Sequence, residues 1–196
     1  MRLYSAKGFT LIEIIVVIAI IVVVFTITFP LYLDYSKRNE LRQGAKQVRN
    51  EIEFTVSQAS NGVVPVFPSP TPTSDQSYWL IRIPAAGSGD TQLIRAACAV
   101  EDVNDNSCTI NNGIDRTVIN LSPGVSLRHT AAAYATVPLV LYYSPVFAQF
   151  TVRTADGTVT GLTSLEMIVE HDELETTEIV TLTVNSQGKI TENSTI

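Results

Sequence analysis

Phe9-Thr-Leu-Ile-Glu-Ile-Ile-Val-Val-Ile-Ala-Ile-Ile-Val-Val-Val-Phe-Thr-Ile-Thr-Phe-Pro-Leu-Tyr-Leu33 is a stretch of 25 residues with a single charge, Glu13. From Leu11 to Phe29 it runs for 19 residues, which as a helix at 1.5 Å per residue spans about 30 Å, the thickness of a bilayer's hydrocarbon core. A secretory signal peptide would have a shorter apolar core and a small-residue cleavage site after it. Here Phe29-Pro-Leu-Tyr-Leu-Asp34 follows instead. Arg2 and Lys7 precede the run, so the positive-inside tendency keeps the N-terminus cytoplasmic and sends the rest of the chain across.

The segment accounts for an unusual composition. The 196 residues are 45% hydrophobic and only 16% charged, against about 25% charged in an average soluble domain. Of the 13 basic and 19 acidic residues, only Arg2, Lys7 and Glu13 precede Asp34, leaving 11 against 18 and a net charge of -7. The stretch 34–60 is near balance, and the acidity sits beyond it. A surface of that sign repels phosphate backbones, so the globular part is not expected to bind nucleic acid.

Glu13 is the anomaly, because an ionisable group inside an apolar helix costs roughly 2.5 to 3.5 kcal/mol on insertion scales. On its own it is open to two readings: a carboxylate near the helix end that stays protonated or reaches the interface, or one that meets a partner. Its context is Gly8-Phe9-Thr10-Leu11-Ile12-Glu13, after a short leader carrying positive charge. There the sequence resembles the prepilin family, the type IV pilins and the pseudopilins of type II secretion. The resemblance implies a leader, 1–8, cut between Gly8 and Phe9 by a prepilin peptidase that also methylates the new Phe9 amine. It further implies that Glu13 pairs with a neighbouring subunit's terminal amine, setting the register of a filament of pilin or pseudopilin subunits. Pro30, at the twenty-second mature position, fits the same pattern as a kink point, and the β-branched run Val22–Val24 with Thr26, Ile27 and Thr28 weakens helix continuity toward it.

Beyond Pro30, Leu41, Ala45, Val48, Ile52, Val56 and Ala59 recur at spacings of three and four, the stripe of an amphipathic helix over 34–60 that needs a sheet to cover it. Lys37, Arg38, Arg42, Lys46 and Arg49 lie on its other faces, open to solvent, to head groups or to an acidic neighbour. Asn61-Gly62 ends the helix. Pro65, Pro68, Pro70 and Pro72 then make 61–77 an extended linker.

From Tyr78 the pattern is short strands: 78–83, 92–100, 117–121, 125–129, 139–143, 147–153, 164–170, 179–184 and 189–191. They are rich in Val, Ile, Thr and Tyr, with turns at Asp156-Gly157 and Ser186-Gln187-Gly188. The expected fold is α+β and pilin-like: one long N-terminal helix whose second half packs on an antiparallel β-rich head, 78–196. The ending Ile179 to Ile190 resembles that of the H-type minor pseudopilins, which implies a minor, tip-located subunit.

Cys98 and Cys108 bracket a polar loop, and an oxidising compartment suits one local disulfide between them. Asp102, Asn104 and Asn106 match the first three ligands of a calcium loop, but Ser107 and Gly113 stand where glycine and an acidic ligand belong. No cofactor is expected. The acidic run Glu166, Glu170, Asp172, Glu173, Glu175 and Glu178 contains no base and is expected to be a solvated loop. His129 and His171 are expected to be structural. No catalytic or phosphate-binding motif occurs, so the chain is not expected to be an enzyme. The expected function is a structural filament subunit anchored in the bacterial inner membrane. The alternative is a signal-anchored protein whose exported β domain binds a ligand or acts as an adhesin.

Overall fold

A computed structural model of the chain describes residues 9–61, 63, 77–85, 88, 91–99, 114–144 and 149–196. It divides into two units, 1–37 and 38–196. One helix, α1 (Leu11–Ser60), begins in the first and ends in the second. Nine strands follow among the described residues: β1 (Ser77–Ile83), β2 (Gln92–Ala99), β3 (Ile114–Asn120), β4 (Val125–His129), β5 (Leu139–Ser144), β6 (Gln149–Thr154), β7 (Ser164–His171), β8 (Ile179–Asn185) and β9 (Ile190–Ser194). All nine fall where the punctuation of the sequence puts them, with ends moved by up to three residues. The fold is α+β and pilin-like, a long helix packed on antiparallel sheets.

The strands form two sheets, ordered β3-β2-β1-β5-β6 and β4-β7-β8-β9. Every pairing is antiparallel. The two sheets differ in kind, and the difference follows from sequence pattern. In β8, Ile-Val-Thr-Leu-Thr-Val-Asn, burial alternates strictly, so Val180, Leu182 and Val184 face the core and the threonines face out, as one-sided antiparallel sheets require. In β5, Leu-Val-Leu-Tyr-Tyr-Ser, every residue is buried. Strand β5, within the five-stranded sheet, is therefore covered on both faces. Tyr78, Leu80, Ile94, Ala96, Val140 and Tyr142 make a separate apolar cluster on the face turned away from the main core.

That main core takes the stripe of α1 against the inner faces of both sheets. Leu41, Ala45, Val48, Ile52 and Ala59 from the helix join Trp79, Ile81, Leu141 and Tyr143 from the first sheet and Leu127, Met167 and Leu182 from the second. A fully buried aliphatic side chain contributes about 1.5–3 kcal/mol, so the helix stripe alone outweighs the exposed ion pairs around it, worth about 0–1 kcal/mol each. Val56 is only partly buried, and Gly44 and Thr55 complete the buried face. At Gly44 a Cβ would stand 2.6 Å from Val125 Cγ1, so glycine is what lets α1 approach β4. The helix end is tied down where Ser60 Oγ lies 3.1 Å from Tyr143 Oη. The two sheets meet where Phe150 N–H donates to Ser186 O at 2.7 Å.

Three expectations need correction. Helix basicity is not simply solvated: Arg38 is paired with Glu178 at 2.8 Å, and Arg49 with Glu53 at 2.8 Å and Glu192 at 3.5 Å. The acidic run is not one loop either. Glu166 and Glu170 lie on β7, and Glu170 meets Arg128 of β4 at 3.1 Å. The bases answering these carboxylates come from elements distant in sequence. Finally, Ser186-Gln187-Gly188 turns the β8–β9 hairpin, with Gly188 at φ 78, whereas Asp156-Gly157 closes a shorter return that touches β6 through a single bridge, Arg153 to Val159. Asp156 accepts hydrogen bonds from the Thr154 hydroxyl and the Thr158 N–H, and these hold its carboxyl below the usual range.

Burial pushes the Tyr142 hydroxyl's pKa up, against a smaller opposing pull from the Arg153 guanidinium, which lies 4.8 Å over the ring. A raised folded-state pKa means stability that is present below the ordinary tyrosine range, near pH 10, and lost as pH rises beyond it. Tyr142→Phe is expected to leave stability at pH 7 within about 1 kcal/mol and to move the alkaline unfolding midpoint upward. Fluorescence of Trp79, the single tryptophan and a buried one, reads this directly; an unchanged midpoint would refute the role given to Tyr142.

Candidate functional site

The described part of the first unit starts at Phe9, which is extended, and enters α1 at Leu11. No residue of α1 before Leu41 is buried, so the aliphatic side chains from Leu11 to Leu33 all point outward. Among the described residues this is the one helix long and apolar enough to cross a membrane.

The start of that helix is organised by Thr10 and Glu13. Glu13 Oε2 accepts the Thr10 N–H at 2.7 Å and the Thr10 hydroxyl at 2.8 Å. Thr10 Oγ1 in turn lies 3.4 Å from the Glu13 N–H. This reciprocal pair is a capping box, in which the residue before the helix and the third residue within it satisfy each other's backbone groups. In hydrocarbon, where no water replaces a missing partner, such satisfaction is obligatory. Glu13 stands out in the sequence as the lone charge; the signal for Thr10 is Thr-x-x-Glu just ahead of an apolar run, the signature of this cap. Glu13 thus has a partner in its own chain. Its Oε1 accepts nothing among the described residues, which leaves one carboxylate oxygen open there to a further cation.

Further along, Pro30 lies inside α1 without interrupting it. Its ring nitrogen cannot donate to the Thr26 carbonyl. Two hydroxyls bond back to earlier turns, Thr26 Oγ1 to Val23 O at 2.8 Å and Thr28 Oγ1 to Val24 O at 3.0 Å, and such bonds ease a bend in a helix. Phe25 and Phe29 stack one turn apart, ring centres 5.5 Å from each other.

Gly8, and with it the expected cleavage bond, lies outside the described residues. Cys98 lies on β2 with its Cα opposite Tyr78, whereas Cys108 and the whole loop holding Asp102, Asn104, Asn106, Ser107 and Gly113 lie outside them. Pro65 to Pro72 do so as well. His129 and His171 are both buried in the head. Among the described residues no three His, Cys, Asp or Glu side chains are grouped to hold a metal ion.

Residues 4–29 match the family model of the prokaryotic N-terminal methylation motif. The chain carries the prepilin-type signal of type IV pilins and pseudopilins. The match spans both residues of the capping box and ends one residue before Pro30, so the prepilin signal and the exposed apolar start of α1 are the same stretch of chain. No curated protein and no solved structure matches this chain.

Proposed function

We propose that the chain is a structural, non-enzymatic subunit of a type IV pilus or type II secretion pseudopilus, a minor one whose ending from Ile179 to Ile190 resembles that of the H-type pseudopilins. Prepilin peptidase cuts between Gly8 and Phe9 and the Phe9 amine is methylated. The observation that carries this reading is Glu13: a carboxylate placed in an exposed apolar helix, with one oxygen held by Thr10 and the other open. A neighbouring subunit's terminal ammonium supplies the cation, and in low dielectric that attraction is strong enough to fix which subunit levels lie side by side. The apolar faces of many such helices cover one another in the filament core, while the acidic heads stay outside on the exported side of the inner membrane. A head of that charge is suited to contact other subunits rather than nucleic acid.

Mass spectrometry of the membrane-bound chain, produced together with a prepilin peptidase, tests the proposal. The expected product begins at Phe9 and carries one methyl group. A chain that keeps Met1, or that begins at Phe9 with an unmethylated amine in a strain whose other pilins are methylated, would favour a plain signal anchor bearing an exported β domain.

A further inference from the structure

Arg38 and Arg49 of α1 find carboxylates within the chain, Glu178 for the first and Glu53 and Glu192 for the second. Arg42 and Lys46, between them, do not: both are exposed, and among the described residues neither meets a carboxylate. Four residues apart, they lie one above the other on a single face of the helix. With Leu41, Ala45 and Val48 taking the buried side, that face looks away from the core. A counterpart stands elsewhere on the same chain. The β7–β8 connection, 172–178, holds Asp172, Glu173, Glu175 and Glu178 and no lysine or arginine. Glu178 is taken by Arg38. Asp172, however, has 69% of its side chain exposed, and Glu175 is exposed with no cation beside it among the described residues.

The level of that connection along α1 is fixed by two contacts. Arg38 meets Glu178 at 2.8 Å, and Glu40 Oε2 lies 3.3 Å from Nε2 of His171, the residue just before the connection. Asp172 and Glu175 therefore stand near the level of residues 38–40 of their own helix, which at 1.5 Å per residue is about 8 Å short of the midpoint between Arg42 and Lys46. A second chain standing parallel, and displaced by about 8 Å toward the C-terminal end of α1, brings its Asp172 and Glu175 level with Arg42 and Lys46 of the first. At the other end of the helix, pairing of Glu13 with a neighbour's Phe9 amine asks for a displacement of four residues, about 6 Å, in the same sense. The difference is within the reach of an arginine or lysine side chain.

We propose that the face of α1 carrying Arg42 and Lys46 docks the acidic β7–β8 connection of a second copy of this chain. The two surfaces are different patches of one molecule, so the contact is heterologous and passes from copy to copy. Exposed ion pairs are weak one at a time and are screened by salt. The apolar start of α1 supplies the association, and this contact selects which level of one head stands beside which level of the next. The inference rests on the reading above in one respect, that copies anchored by the same N-terminal helix stand parallel in the membrane.

Carbodiimide coupling, which joins an amine directly to a carboxylate touching it, tests this on the full-length chain in the membrane. Two versions with different tags are produced together. One keeps Arg42 and Lys46 and carries Asp172→Asn and Glu175→Gln; the other keeps the carboxylates and carries Arg42→Gln and Lys46→Gln. Each head is expected to unfold at the native midpoint in Trp79 fluorescence, since all four substituted side chains are exposed. A peptide joining Lys46 to Asp172 or Glu175 in this mixture must come from two copies, and it is the expected product. When both tags are placed on the first version, the docking carboxylates are gone and the yield of mixed-tag dimer should fall about tenfold. Absence of the Lys46 peptide, or an undiminished yield in that control, overturns the proposal. So does Lys46 joined instead to lipid phosphate or to a different protein, which assigns the face to that occupant. Cleavage after Gly8 is read in the same sample: an uncut chain that still gives the Lys46 peptide overturns only the filament reading, and a cut chain without it overturns only the docking.

Discussion

Glu13→Ala is expected to lower incorporation of the chain into filaments about a hundredfold, while the unfolding midpoint of the head stays where it was. The size follows from the environment: breaking a charge pair in hydrocarbon by removing one partner costs roughly 3–5 kcal/mol, against about 1 kcal/mol for loss of a helix cap. Two variants separate these contributions. Thr10→Val removes the hydroxyl of the capping box and leaves the Glu13 carboxylate, so it should reduce incorporation several-fold at most. Glu13→Gln keeps hydrogen-bonding capacity without charge and should behave like Ala. The ratio of chain in the sheared filament fraction to chain in the membrane fraction is the measurement. If Glu13→Ala enters filaments as well as the native chain does, the carboxylate is not the register element and the proposed mode of assembly is lost.

The second large effect belongs to Gly44. Leucine there would drive a side chain into Val125, itself fully buried and β-branched, at a place where even a Cβ comes within 2.6 Å. Overpacking of this kind costs about 1–3 kcal/mol, and separation of α1 from β4 would add the loss of burial at Leu41 and Val48. Gly44→Leu is expected to destabilise the head by about 3 kcal/mol or more in Trp79-monitored unfolding. Gly44→Ala is the finer probe: helix propensity favours alanine by about 1 kcal/mol, so a net loss of stability measures the clash directly. Pairing it with Val125→Ala should recover part of that loss. A Gly44→Ala chain more stable than the native one would show that the helix has room to move.

Much of this was legible because the informative patterns are local. Thr10 and Glu13 are three residues apart, the membrane run is continuous, and the stripe Leu41 to Ala59 repeats at helical spacing. Alternation in Val180-Thr-Leu-Thr-Val184 fixes which residues face inward whatever they face. Strand order is another matter. β1 lies between β2 and β5, and β4 pairs with β7 across 34 intervening residues. Loop-closure entropy grows so slowly with length that local sequence says little about which partner is chosen. The double burial of β5 was there to be read in its unbroken apolar run, but such a run does not say what covers each face.

The same division holds for the charged and small residues. Glu166 to Glu178 contain no lysine or arginine in sequence, and those arrive as Arg38 from the helix and Arg128 from β4. Gly44 reads as an indifferent helix residue until Val125 stands over it. His171 reads as a lone histidine until Glu40, 131 positions away, reaches its Nε2. By itself the sequence determined the apolar run long enough to cross a membrane, the lone carboxylate within it, the Thr10–Glu13 signature at its start and the inward face of each element, since these depend on neighbours within one or two turns of chain. Only the tertiary structure decided the two-sheet order, the close approach at Gly44 and the contact of His171 with Glu40, because each of those depends on which distant surfaces bury one another.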